Sequence, residues 1–292
     1  MDDERDPLAH VQSFEQRIEV AAVLDNAAYT TRLSSRTTVN SNRCWFVCNS
    51  AYGIFWTSAR WHAPCRHARM GVLVFDVIET LLDVQALDPA FESAFGDRGV
   101  RQQCFQQMLQ SAFVSTVTSA YRDFSELGRA ALQMTAKRRG VDLSPEQQQK
   151  ILGTIRQLPP HPDVIEALGR LRDAGFRMAA LTNSTAEVAE AQLQHARLRD
   201  FFEQALSADT AKRLKPAREA YHMAANRLGV EPTDLRMIAA HAWDVTGAMR
   251  AGCAAAFVAR PNMVLDPAGE QPDIVGADLR EIAGSIIARD RA

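Results

Sequence analysis

The sequence predicts an α/β fold, a doubly wound parallel sheet with a helical cap inserted near its start. Three observations carry this. Short, continuous apolar runs recur beyond residue 70, the form taken by parallel strands buried on both faces. Helix-like stretches with glycine stops separate these runs, so strands alternate with helices. That rhythm is broken once, directly after the first run, by helical sequence from about 84 to 160. The expected division is a core of residues 70–83 and 161–292, a helical cap of 84–160, and an atypical N-terminal extension of 1–69.

Taken in order, residues 71–75 (GVLVF) form the first strand and deliver Asp76 to its carboxyl end. Open α/β sheets place their ligand crevice at that edge. Residues 91–96, 100–121 and 124–139 read as helices; Gly140 is a stop, and Ser144-Pro145-Glu146 is a good start for another. The run LPPHPD (158–163) is a rigid turn, followed by a helix over 164–174 closing on Gly175. Strands are then expected at 177–181, 204–207, 235–240 and 254–259. Helices are expected through about 198, over 217–228 and over 245–251.

Composition narrows the function classes. A chain of 292 residues that is 47% hydrophobic can bury a core without staples. A net charge of −2 provides no overall basic field for nucleic acid or acidic membranes. No stretch approaches the ~20 apolar residues of a membrane span, and the start MDDERDPLAH is acidic where a secretory signal is basic. The expectation is a cytoplasmic protein acting on a small molecule. Five cysteines, an odd number, argue against a disulfide framework.

Residues 1–69 have a different character, with no Asp or Glu between Asp25 and Asp76. Three readings stand. Cys44, Cys48, His62, Cys65 and His67 are zinc-ligand types, but only the first pair has a tight structural-site spacing. An Arg- and Ser-rich transit peptide is opposed by the acidic first residues. The third reading is upstream sequence outside the domain, with Met70 as its start.

Four segments that follow strands bring polar groups to the same sheet edge: Asp76-Val-Ile-Glu-Thr80, Thr182-Asn183-Ser184, Lys215-Pro216 and His241-Ala-Trp-Asp244. A carboxylate such as Asp76 can attack carbon or phosphorus and form an ester that water then hydrolyses. Lys215 offers the cation such a carboxylate needs. Thr80 and Thr182 offer hydroxyl donors and Asn183 an amide. Asp244 is placed to pair with Lys215 and to orient water.

The order D-x-x-x-T, T-N, K-P and A-W-D resembles the haloacid dehalogenase superfamily over about 70–285. The resemblance implies a Rossmann-like core, with Asp76 as nucleophile. Phosphatases of that superfamily carry a second Asp two residues after the nucleophile and an acidic residue four before the late Asp. Here these positions are Ile78 and Ala240. The block A-H-A-W-D-V-T-G-A-M-R-A-G is similar to that of type II 2-haloacid dehalogenases, and Tyr221 falls where that branch has a site tyrosine.

The implied activity is inversion at C2 of a short 2-haloacid through an ester on Asp76, without metal or cofactor, in a possible homodimer. Thr80, Lys215, Asp244 and His241 would join Asp76 in catalysis, with Thr182, Asn183, Tyr221 and Trp243 binding substrate. The rivals are a divergent Mg²⁺-dependent phosphatase with Glu79 as substitute acid, and a non-catalytic binding protein.

The chain departs from the branch at several positions. The cap arginine falls near Phe105, Glu79 replaces a glycine, Ala239 and Ala240 replace serines, and His241 replaces an asparagine. Arg98, Arg101 and Arg122 are alternative sources of a cap cation. His241 reads either as a packing histidine beside Trp243 or as a general base. Trp243 reads as packing or pocket wall, Cys253 as core, and Cys104 as a cap-helix thiol without a catalytic partner nearby in sequence.

Overall fold

The computed structural model describes residues 71–291. The three readings of residues 1–69, including the zinc ligands Cys44, Cys48, His62, Cys65 and His67, lie outside the described residues.

The strands are β1 (Val72–Phe75), β2 (Met178–Thr182), β3 (Gln204–Ser207), β4 (Leu235–Ala239), β5 (Ala254–Val258) and β6 (Ile274–Gly276). They form one sheet in the order β3-β2-β1-β4-β5-β6, with every pair parallel. The first crossover runs outward in one direction and the return from β3 to β4 goes to the other side of β1. The reversal point therefore lies beside β1 and β4, where an open sheet leaves a crevice at its carboxyl edge.

Alternation along the strands separates two apolar layers. Leu73, Phe75, Ala180, Ile238 and Val258 face one layer, while Val72, Val74, Leu181, Met237 and Phe257 face the other. Helices α5 (Val164–Asp173), α6 (Ala186–His195) and α9 (Leu279–Arg291) contribute Leu168, Leu193 and Ile282 to the first layer. Helices α7 (Arg218–Leu228) and α8 (Ala242–Arg250) contribute Tyr221, Leu228 and Val245 to the second.

Between β1 and α5 stand α1 (Asp88–Phe95), α2 (Val100–Val117), α3 (Phe124–Arg139) and α4 (Pro145–Thr154). Asp123 caps α3 by accepting from the amide of Glu126, and Ser144 forms a reciprocal capping box with Gln147 at the start of α4. Gly96 and Gly140 end α1 and α3 in the left-handed conformation. Phe91, Met108, Phe124, Leu132 and Ile151 join the first apolar layer, so the helical block shares a continuous core with one face of the sheet. Among the described residues no helix is long and apolar enough to cross a membrane.

Several sequence expectations move. The helix expected over 100–121 stops at Val117, where Thr116, Val117 and Thr118 crowd the backbone and Ser119 turns left-handed at φ 56°. The second strand sits one residue later, over Met178–Thr182, because Arg177 instead bridges outward to Glu203 at 2.8 Å. Helix α8 begins at Ala242 rather than 245, which puts Asp244 in its first turn. The short strand β6 and helix α9 complete the sheet's far edge and were not anticipated.

Candidate active site

Four strand ends converge as the loop segments suggested. Asp76 follows β1, is 5% exposed, and accepts from the Thr80 hydroxyl at 2.7 Å and from the Lys215 ammonium at 2.8 Å. Thr80 also accepts from the backbone amide of Ala240 at 2.9 Å, which ties the β1 loop to the end of β4. Lys215 is fully buried and makes three contacts with its three N–H bonds: Asp76, Asp244 at 2.7 Å and the carbonyl of Leu181 at 2.9 Å. Burial works against its charge, but Asp244 and Asp76 outweigh it and raise the lysine's pKa, so Lys215 stays an ammonium.

Asp244 is held from both sides, by Lys215 on one oxygen and by the Tyr221 hydroxyl at 2.6 Å on the other. Burial pushes its carboxyl up, opposed by Lys215 and reinforced by the neighbouring Asp76. Tyr221 was expected to bind substrate; the structure instead buries it completely, aims its hydroxyl at Asp244, and pushes its pKa well up through burial and that carboxylate. Asn183, also expected at the substrate, brackets Lys215 from behind: its carbonyl oxygen accepts from the Lys215 amide at 2.8 Å and its Nδ2 donates to the Lys215 carbonyl at 3.2 Å. Thr182 accepts from the amide of Ser184 at 3.1 Å and so shapes the turn after β2.

Helix α8 can approach this cluster only because residue 247 is glycine. A Cβ there would stand 2.5 Å from the Cβ of Pro216 and 2.6 Å from the Tyr221 hydroxyl. The bond between Lys215 and Pro216 is cis.

His241, at the N-cap of α8, lies 3.2 Å from Glu79 through Nε2 and stacks on Trp243 at 5.2 Å. Phe105 of α2 also stacks with it at 6.2 Å, and Phe113 meets Trp243 edge-on at 5.5 Å. Burial works against a charge on His241, but its hydrogen bond to Glu79 and the fields of Asp76, Glu79 and Asp244 raise its pKa. Glu79 adopts φ 66°, a left-handed conformation that glycine takes without cost. Its carboxylate is engaged by His241, and Ile78, the residue two after Asp76, is buried.

Sequence reading missed Arg260. Its Nε and Nη2 donate to the carbonyl of Thr80 at 3.1 and 2.9 Å, and Nη1 reaches both oxygens of Asp163 at 2.8 Å. Burial alone would raise the Asp163 pKa, but Arg260 and the amide of Leu279 hold it low. The available signal was an arginine directly beyond an apolar strand end, in Val258-Ala259-Arg260-Pro261.

Two cavities flank the loop at Ile78 and Glu79. One, of about 170 Å³, is largely apolar, with Ile78, Met108, Phe124 and Leu158 in its wall and Ser125, Arg129, Arg156 and Ser184 as polar groups. The other, of about 270 Å³, is lined by Glu79, His241, Trp243, Phe105, Arg101 and Arg260 among others. Of the three arginines considered as cap cations, Arg101 reaches this second cavity and is bound through Nε to Asp88 at 2.5 Å. Arg122 pairs with Glu126 on the outer groove between α2 and α3, and Arg98 lines neither cavity. Cys104 and Cys253 are buried, with thiols pushed up to about 11 and about 12 by burial, so neither is a reactive thiolate.

Each oxygen of Asp76 and Asp244 accepts from a protein donor, and the Lys215 ammonium contacts both carboxylates. Among the described residues no group of three or more His, Cys, Asp or Glu side chains is arranged to hold a metal ion.

Comparison with known proteins follows the same residues. A family model described as haloacid dehalogenase-like hydrolase matches residues 70–252. The (S)-2-haloacid dehalogenase of Pseudomonas sp. (strain YL) is 28% identical over 72% of this chain and 91% of its own length. Haloacetate dehalogenase H-2 of Moraxella sp. (strain B) is 26% identical over 70% of this chain and 92% of its own. The structure of the L-2-haloacid dehalogenase of Xanthobacter autotrophicus with chloropropionic acid covalently bound superposes with a TM-score of 0.71 at 26% identity, covering 76% of this chain and all of that one. With its sheet order, its strand-end cluster and this family match in agreement, the chain belongs to the haloacid dehalogenase-like hydrolases.

Proposed function

We propose that this protein is a hydrolytic dehalogenase that converts a short 2-haloacid to a 2-hydroxy acid through an ester on Asp76, without a metal ion. The observation that carries this reading is the Lys215 ammonium, which contacts Asp76 at 2.8 Å and Asp244 at 2.7 Å and so supplies the positive charge between the two carboxylates. The curated relatives act on haloacids by name, and one similar structure holds chloropropionic acid covalently, which supports an ester intermediate.

In the first step one carboxylate oxygen of Asp76 attacks C2, the carbon–halogen bond breaks, and the halide leaves with the bonding pair. Lys215 and the Thr80 hydroxyl fix the carboxylate's position beforehand, so little reorganisation is needed. Attack from the face opposite the halide inverts C2. The apolar cavity wall of Met108, Phe124 and Leu158 excludes bulk water from the alkyl group.

In the second step water attacks the Asp76 ester carbonyl, and the bond from that carbonyl carbon to the oxygen on C2 breaks. The water proton passes toward Asp244, whose basicity burial increases, and on to the departing alkoxide. Asp76 is restored and a 2-hydroxy acid and halide are released, with one proton from water set free overall.

The test is halide release from L-2-chloropropionate, with and without EDTA. Turnover that is indifferent to EDTA is expected. Hydrolysis of a phosphate ester that requires Mg²⁺, with no halide released, would overturn the reading.

A further inference from the structure

The side-chain donors that touch the two inner carboxylates are all committed to them or to the backbone. Asp76 and Asp244 contribute −2 and Lys215 +1, leaving −1, and all three Lys215 N–H bonds have acceptors. The Thr80 hydroxyl is committed to Asp76 and the Tyr221 hydroxyl to Asp244. A carboxylate substrate, or a departing halide, therefore needs donors other than Lys215, Thr80 and Tyr221.

The adjoining wall has what the cluster lacks. His241 uses Nε2 toward Glu79, which leaves Nδ1 as the ring's other donor. The indole Nε1 of Trp243 is buried and has no hydrogen-bond partner. Both residues line the 270 Å³ cavity together with Glu79. Glu79 itself occupies a left-handed backbone position at a cost of about 1 kcal/mol relative to glycine. Its side chain is nearly buried and makes one polar contact, to His241, so that contact is what the position retains in exchange for the strain.

We propose that Glu79 is a positioning residue that orients His241 so that its Nδ1–H, with the Trp243 indole N–H, receives an anionic group in the 270 Å³ cavity. For the identity of the anion, substrate carboxylate or halide, the inference rests on the dehalogenase reading. An imidazolium has no lone pair, so His241 in this role is a hydrogen-bond donor rather than the general base.

The sign of the pH dependence follows. His241 is charged below its raised pKa and loses the Nδ1–H donor's charge as pH climbs through it. The groups facing it are Asp76 and Glu79 after β1 and Asp244 on its own helix, with neutral Phe105 packed from α2. Farther round the cavity, Arg101 is held by Asp88 and Arg260 by Asp163, while burial and Arg260 lower the pKa of His161.

The experiment is an NMR titration of the ¹⁵N-histidine-labelled full chain with propionate, which has no halogen to lose, and separately with bromide. Either anion should raise the His241 pKa; propionate acting alone marks a carboxylate subsite, bromide alone a halide subsite. Glu79→Gln should lower the His241 pKa and weaken that binding by about tenfold, the scale of one charged hydrogen bond. In turnover it should move the alkaline limb of kcat/KM to lower pH. His241→Asn should remove the limb and weaken binding similarly, which covers a Glu79→Gln protein that fails to fold. If neither anion shifts His241, or if Arg101→Gln abolishes binding that both other variants leave intact, the proposal is wrong. Binding without halide release would sink the dehalogenase reading alone. Halide release with an unmoved limb in Glu79→Gln would sink the positioning role of Glu79 alone.

Discussion

The cluster around Lys215 and the wall around His241 are neighbours, both are buried, and they are built to opposite standards. In the cluster every carboxylate oxygen and every ammonium hydrogen has a protein partner. In the wall the buried indole N–H of Trp243 is left without one, and the backbone at Glu79 is strained. Buried polar groups are normally satisfied, and each exception asks for an explanation. On the proposed reading, the difference teaches that the cluster holds the reacting group in place before substrate arrives, whereas the wall is completed by what binds.

The largest test of this contrast is Asp76→Asn, which keeps the size of the side chain and removes the nucleophile. A loss of kcat on the order of 10⁴-fold is expected with the fold retained, read by halide release and circular dichroism. Substantial residual turnover would mean that the cluster is not where the chemistry occurs.

Next is Lys215→Met, which leaves Asp76 and Asp244 facing each other with no countercharge. Breaking a buried pair in this way typically costs about 3–5 kcal/mol, measurable by urea unfolding. A cost below roughly 1 kcal/mol, the range of exposed ion pairs, would show that the cluster is wetter and looser than its contacts imply.

Gly247→Ala probes the same cluster from behind. The added methyl would force Pro216 and the Tyr221 hydroxyl aside, an overpacking cost of about 1–3 kcal/mol. Because Tyr221 holds Asp244, ester hydrolysis should slow more than ester formation, so ester-bound enzyme should accumulate in rapid-quench mass spectrometry. Equal slowing of both steps would break the assignment of Asp244 to the water.

The smallest effect belongs to the wall. Since the folded-state pKa of His241 is raised, its contribution to stability is complete below the ordinary value of 6.5 and declines as pH rises through the raised value. Urea titrations at a series of pH values should show wild type losing stability over that window, with His241→Asn lacking that part of the slope. Identical slopes would mean that His241 is not charged in the folded protein.

The cluster was largely legible in the sequence and the wall was not. Asp76, Thr80, Lys215 and Asp244 each follow an apolar strand run, so locating the strands located them at one edge. Tyr221 and Asn183 were found as residues, but their direction toward Asp244 and the Lys215 backbone was not, since a side chain's orientation depends on what packs against it. Glu79 and His241 were noticed only as departures from a pattern, and nothing local to either predicts that they meet. Strand β6 escaped because three residues among Pro, Asp and Gly carry no period.

What the sequence by itself determined is the part set by local physics: apolar runs of strand length, helix starts and stops, and therefore a parallel sheet with a carboxylate at the end of its first strand. What only the tertiary structure decided is who pairs with whom across long separations, as in Lys215 with Asp76, 139 residues apart, and Arg260 with the Thr80 carbonyl, 180 apart. The reason is that such contacts exist only after strand order has closed the intervening chain into loops. Burial then makes an unpaired charge costly enough that the packed partners, rather than the local sequence, fix each side chain's direction.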